Sequence, residues 1–129
     1  MRDMPQPDHE TRSLMRARLL ARAGVTEDRL SGVSIAELRR TEWSAEFESL
    51  MRNRMVQGAF RYGRLGAKGK PHYDRLMEIR RRLERYEDTG NLECLVDAAN
   101  VALLEFVEGR HPDRHFASVD DGEHAGVSG

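Results

Sequence analysis

The stretch LECLVDAANVALLEFVE, residues 92–108, decides how this chain folds. Asn91 before it is a good helix N-cap and Gly109 after it a good terminator, so the run reads as one bounded helix. At about 100° per residue, Leu92, Leu95, Val96, Ala99, Leu103, Phe106 and Val107 fall on one broad apolar face. Glu93, Asp97 and Asn100 are spaced i, i+4, i+7 and share a narrow stripe at the margin of that face. Bringing two like charges out of water raises their energy unless a cation or hydrogen bonds compensate. Two compensations stay open: a divalent metal, or a buried network with Arg54 or Arg61 from a neighbouring helix.

The pattern extends upstream. Thr89-Gly90-Asn91 reads as a tight turn, with Gly90 ending one helix and Asn91 opening the next, so the two should form an antiparallel hairpin. The preceding helix is expected over about 71–88, with Pro71 in its first turn and Tyr73, Leu76, Ile79, Leu83 and Tyr86 along one side. Before it, Ser44 should cap a helix over about 45–62, where Phe47, Met51 and Met55 repeat at i+4 and face inward. Gly58 in that helix would allow close packing against another. The connector GRLGAKGK, 63–70, is not a phosphate-binding P-loop: the spacing is wrong, Pro71 stands where Ser or Thr is needed, and no strand precedes it. It reads instead as a mobile basic loop whose Lys68 and Lys70 are free to meet an anion. Nearer the start, Asp8 could cap a helix running to about Ala23. A short helix could follow Thr26, and Ser34 with Glu37 forms a capping-box pattern. The expected architecture is all-α, a bundle of about four to five helices. Residues 1–43 form an N-terminal helical extension, 44–116 the core and 117–129 a flexible tail.

Composition narrows the function classes. The chain has 129 residues, 33% of them charged, and a net charge of −1, so nothing global draws it to nucleic acid or to a membrane surface. No apolar run is long enough to span a bilayer. One cysteine, Cys94, excludes an internal disulfide and fits a reducing cytoplasm. The run Arg80-Arg81-Arg82 lacks interleaved aromatics, which makes nucleic acid an unlikely partner. His111 and His115 have i+4 spacing, but a structural zinc site usually carries a tighter, Cys-rich signature.

Three segments carry a family resemblance: EFESLMRNRMVQGAFRYG at 46–63, RLERYEDTGNLECLVDAANVALLEF at 82–106 and HPDRHF at 111–116. Over somewhat more than half its length the chain resembles the MazG-like all-α nucleotide pyrophosphohydrolases of the small phage and actinobacterial type. The resemblance implies a helical bundle that forms homodimers or higher homo-oligomers. It also implies use of Mg²⁺ or Mn²⁺ and hydrolysis of a (deoxy)nucleoside triphosphate to monophosphate and pyrophosphate. In that family an E-x-x-E pair on one helix faces an E-x-x-D pair on the next. Asp97 matches the closing Asp and Asn100 follows one turn later. Glu93 matches an acid that often precedes the motif by one position, while Cys94 occupies the strict partner position. On the first helix Glu46 fits, with Ser49 where the second Glu would stand.

The expectation is therefore a metal site of Glu46, Glu93, Asp97 and Asn100, the three carboxylates being catalytic and a neighbouring subunit completing the set. Arg54, Arg61, Lys68 and Lys70 would contact the phosphates, because cleaving a polyphosphate needs its charge neutralised. The rival expectation is a non-enzymatic helical oligomerisation or adaptor module, in which the same residues form a buried polar network.

Overall fold

The computed structural model describes residues 9–25 and 29–117, and all regular structure among them is helical. The helices are α1 (His9–Arg22), α2 (Ile35–Thr41), α3 (Ala45–Tyr62), α4 (Arg75–Thr89) and α5 (Glu93–Glu108). The expected all-α architecture is present, with five helices. None of the described helices is long and apolar enough to cross a membrane. Two compact units can be separated: one carries α1 and α2, and the other, Trp43–Arg114, carries α3, α4 and α5.

In the first unit, α2 starts at Ser34, whose hydroxyl accepts from the Glu37 backbone N–H at 3.1 Å. The Arg16 guanidinium donates to the carbonyls of Val33 and Leu30, tying α1 to the segment before α2. The proposed capping residue Asp8 and the helix start at Thr26 lie outside the described residues.

In the second unit, Ser44 caps α3 by accepting from the Phe47 N–H at 3.1 Å, and the helix runs over the expected residues. The next helix begins later than expected. Residues 71–74 are not helical, and α4 starts at Arg75 because the Asp74 carboxylate caps it, accepting from the Met77 N–H at 3.0 Å. A carboxylate that satisfies a free N–H and faces the positive end of the dipole outweighs the weaker preference of Pro71 for a first turn. Gly90 then takes the left-handed conformation, φ 70°, that closes α4, and the chain reverses into α5 as the expected hairpin. Asn91 acts one residue earlier than a regular N-cap: its Oδ1 accepts from the Glu93 N–H at 3.0 Å, and Leu92 in the cap position supplies no side-chain bond.

α5 is the central element. It packs against α4 along the hairpin and against α3 on its other flank. Its buried residues are Cys94, Val96, Ala98, Asn100 and Val101. That arrangement corrects the expected inward face. Leu92 is 67% exposed, Phe106 71% and Val107 is also exposed, with Leu95, Ala99 and Leu103 half-buried between them. Sandwiching by two helices buries the two flanks of α5 and leaves its broad apolar side uncovered in the single chain. A second correction concerns Gly58. A Cβ built there meets nothing within 4 Å, so its lack of a side chain serves no close helix contact.

Candidate functional site

A cleft of about 590 Å³ opens in the Trp43–Arg114 unit. Its floor is one face of α5, on which Asp97, Asn100, Val101, Leu104 and Glu108 recur at i, i+3, i+4, i+7 and i+11. One wall is the second half of α3 with the start of the following loop. The other is α4, through Arg75, Glu78 and Arg82, together with Lys70, Pro71 and Tyr73 just before it. Five cations, Arg54, Arg61, Lys70, Arg75 and Arg82, and three carboxylates, Glu78, Asp97 and Glu108, line the space. The volume is that of a small-ligand site, and the charge balance favours an anion.

The acidic stripe read from the sequence sits at one end of the floor. Asp97, with only 13% of its side chain exposed, is held between the walls: Arg54 Nε of α3 donates to Oδ1 at 3.2 Å, and Arg82 Nη1 of α4 lies 3.4 Å from Oδ2. Arg82 is aligned in turn by Glu78 one helical turn away, at 3.1 Å. Glu93 reaches Arg54 Nη1 at 3.5 Å from a more exposed position. Asn100 is buried, and its Nδ2 donates to the Met51 carbonyl at 3.0 Å while its Oδ1 has no hydrogen-bond partner. Met51 opposite Asn100 and Arg54 opposite Asp97 fix α3 and α5 as antiparallel.

That register decides the fate of Glu46. It lies eight residues before Arg54, roughly 12 Å along the helix axis, and is exposed at the start of α3. Within one chain, therefore, the structure brings Glu93, Asp97 and Asn100 together but not Glu46. Among the described residues no group of three His, Cys, Asp or Glu could hold a metal ion. The donor set does not fit a closed cation cage made by one chain. It does fit a site of two hard carboxylates completed by oxygens of a bound phosphate, a common arrangement for Mg²⁺. The long guanidinium contacts, 3.2 to 3.5 Å, hold those carboxylates without the short geometry of a strong ion pair.

At the other end of the floor is a cluster that the sequence reading missed. Glu108, the last residue of α5, accepts from three groups. Gly66 N–H reaches Oε2 at 2.6 Å, Lys70 Nζ reaches Oε2 at 2.7 Å, and Arg75 Nη2 reaches Oε1 at 2.9 Å. The Lys70 ammonium, with the Gly66 amide, holds the Glu108 carboxyl below the usual carboxylate range despite the opposing effect of burial. Lys70 is consequently not free to swing, contrary to expectation: the basic loop is tied to the end of α5. Lys68 stays exposed on that loop and does not line the cleft, whereas Arg61 does. Arg75 is the most buried cation among the described residues, 6% exposed, with its guanidinium 5.4 Å from the Tyr73 ring centroid. The i+11 spacing from Asp97 to Glu108, three helical turns, is the sequence signal that places both on one face. Arg75 had no such signal, because the true start of α4 was hidden by Pro71.

No family model matches the chain, and neither a curated protein nor a solved structure matches it.

Proposed function

We propose that the Trp43–Arg114 unit binds a (deoxy)nucleoside triphosphate, as its divalent-metal complex, in the α3–α4–α5 cleft and hydrolyses it to the monophosphate and pyrophosphate. The observation that carries this reading is the convergence of five cations and Asp97 on one nucleotide-sized cleft, with Glu93 at its edge sharing Arg54 with Asp97. Asp97 and Glu93 would hold Mg²⁺ or Mn²⁺ arriving with the nucleotide, and Asn100 would stand beside them. The metal would supply charge neutralisation and a water of lowered pKa. The chain's own part is electrostatic: Arg54 and Arg82, released from Asp97 as the cation takes their place, would turn to the phosphate oxygens. The test is a panel of nucleotides with added Mg²⁺ or Mn²⁺, reading pyrophosphate against orthophosphate. Pyrophosphate release that Asp97→Asn abolishes, with helix content unchanged, is expected. Turnover retained by Asp97→Asn, or no turnover on any nucleotide, would overturn the assignment.

One observation favours a second reading, a helical oligomerisation module. Leu92, Ala99 and Phe106 recur every seven residues on the side of α5 opposite the cleft floor, which is the seam spacing of paired helices. A second copy of the chain covering this side of α5 would bury what the single chain leaves in water. Sedimentation analysis separates the readings. A monomer at micromolar concentration excludes the module, and an assembly that binds no Mn²⁺ and hydrolyses no nucleotide replaces the enzyme with it.

A further inference from the structure

We propose that Gly66, Lys70 and Arg75 form an oxyanion-binding site at the far end of the cleft, occupied in this state by the chain's own Glu108 carboxylate, which an incoming phosphate group displaces. This rests on the phosphate-binding reading of the same cleft and adds a second subsite and an internal competitor to it.

Three features of the cluster point the same way. A backbone N–H, an ammonium and a guanidinium converge on the two oxygens of one carboxylate, at 2.6, 2.7 and 2.9 Å. This donor set suits any tetrahedral or planar oxyanion equally well. The Glu108 position also works against its charge: the last residue of a helix faces the negative end of the dipole, where a carboxylate is disfavoured. It is held there by the three donors, and a ligand oxyanion would hold them without that penalty. Independently, the site has donor capacity that Glu108 does not use. Arg75 is more than nine-tenths buried, yet its Nε has no hydrogen-bond partner. Its Nη1 has none either, lying 3.7 Å from a Glu105 oxygen, beyond hydrogen-bond reach. A carboxylate has two oxygens to offer, whereas a phosphate group has three or four.

Displacement has a structural consequence. Gly66 and Lys70 belong to the 63–70 connector, and Lys70 also donates to the Arg64 carbonyl at 3.2 Å. An anion bound in place of the carboxylate keeps the connector in position while freeing the end of α5.

The test uses inorganic pyrophosphate with the full chain. Thermal unfolding of the wild type, Glu108→Ala, Glu108→Gln and the double variant Glu108→Ala/Lys70→Ala is followed with and without pyrophosphate, against sodium chloride of equal ionic strength. Removing the competitor should tighten binding by about tenfold, the equivalent of one charge-assisted hydrogen bond at the low end of its range. Pyrophosphate should therefore raise the unfolding temperature of Glu108→Ala more than that of wild type, and the added Lys70→Ala should cancel the gain. Glu108→Gln, which keeps the shape and loses the charge, should show an intermediate gain if Glu108→Ala does not fold. Equal or smaller pyrophosphate stabilisation in the folded Glu108 variants would overturn the proposal. Nucleotide hydrolysis is not read in this experiment. A gain in pyrophosphate binding without turnover in the nucleotide panel removes the enzyme and keeps the site, and turnover without the gain does the reverse.

Discussion

Replacing Asp97 with asparagine keeps the shape of the side chain and removes the charge that holds both walls of the cleft. The cost can be worked from the contacts. Hydrogen bonds to charged groups contribute about 1.5–3 kcal/mol each when well formed. At 3.2 and 3.4 Å both bonds to Asp97 are long. Arg54 and Arg82 are about one-third exposed, so water takes up part of what they lose. A net loss of about 2 kcal/mol results, below the ~3–5 kcal/mol of a fully buried pair broken on one side and above the ~0–1 kcal/mol of a surface pair. For a unit the size of Trp43–Arg114 that lowers the unfolding temperature by about 8–16 °C. Urea unfolding followed by far-ultraviolet circular dichroism measures the loss directly. A double-mutant cycle with Arg54→Ala assigns its share, with a coupling of about 1 kcal/mol expected. A loss below about 0.5 kcal/mol, the ordinary range for a surface substitution, would refute the view that Asp97 braces the two walls.

Other outcomes follow from the same geometry. Glu108 has its folded-state pKa depressed, so its stabilising effect is complete above the ordinary carboxylate range and is lost as pH falls through the depressed value. The stability gap between wild type and Glu108→Gln should be widest at neutral pH and should close in acid, which unfolding curves at several pH values will show. Gly90→Ala forces a side chain into φ 70° and should cost about 1 kcal/mol, whereas Gly58→Ala, mid-helix with open space around it, should stabilise by roughly 0.5–1 kcal/mol. Equal effects of the two glycine substitutions in denaturant titrations would contradict both assignments. Ser44→Ala removes the bond to the Phe47 N–H and should cost about 1 kcal/mol by the same measurement.

The helices were legible in the sequence where local chemistry alone sets them. Ser44, Gly90 and the period of the 45–62 and 92–108 segments are short-range signals, and α3 and the hairpin follow from them. The start of α4 is less legible because two local signals three residues apart, Pro71 and Asp74, compete, and the capping bond decides between them. The burial of α5 was less legible. Its period identified an apolar side correctly, but which side faces the protein depends on where two other helices land, and no residue within 92–108 encodes that. The site shows the same division. Glu93, Asp97 and Asn100 were readable as a stripe from spacing alone. That Arg54 and Arg82 meet Asp97 from opposite walls, or that Glu108 ties down the 63–70 connector, is a property of long-range register.

The register also explains why this cleft can be both charged and open. α5 packs on α4 and on α3, but the two walls share no comparable packing with each other. Across the cleft they are joined through one carboxylate that accepts from an arginine of each. Packing over apolar surface is short-ranged and all-or-none, whereas ion pairs one-third open to water weaken smoothly as salt or a competing anion is added. Asp97 therefore sets a wall spacing that salt or a competing anion loosens, while the α4–α5 hairpin, joined by its tight turn and the more extensive packing of the two helices, stays fixed. An apolar residue at position 97 would leave Arg54 to Glu93 and Arg82 to Glu78, each on its own side, and would remove the carboxylate that joins the two walls, so the walls would loosen rather than close.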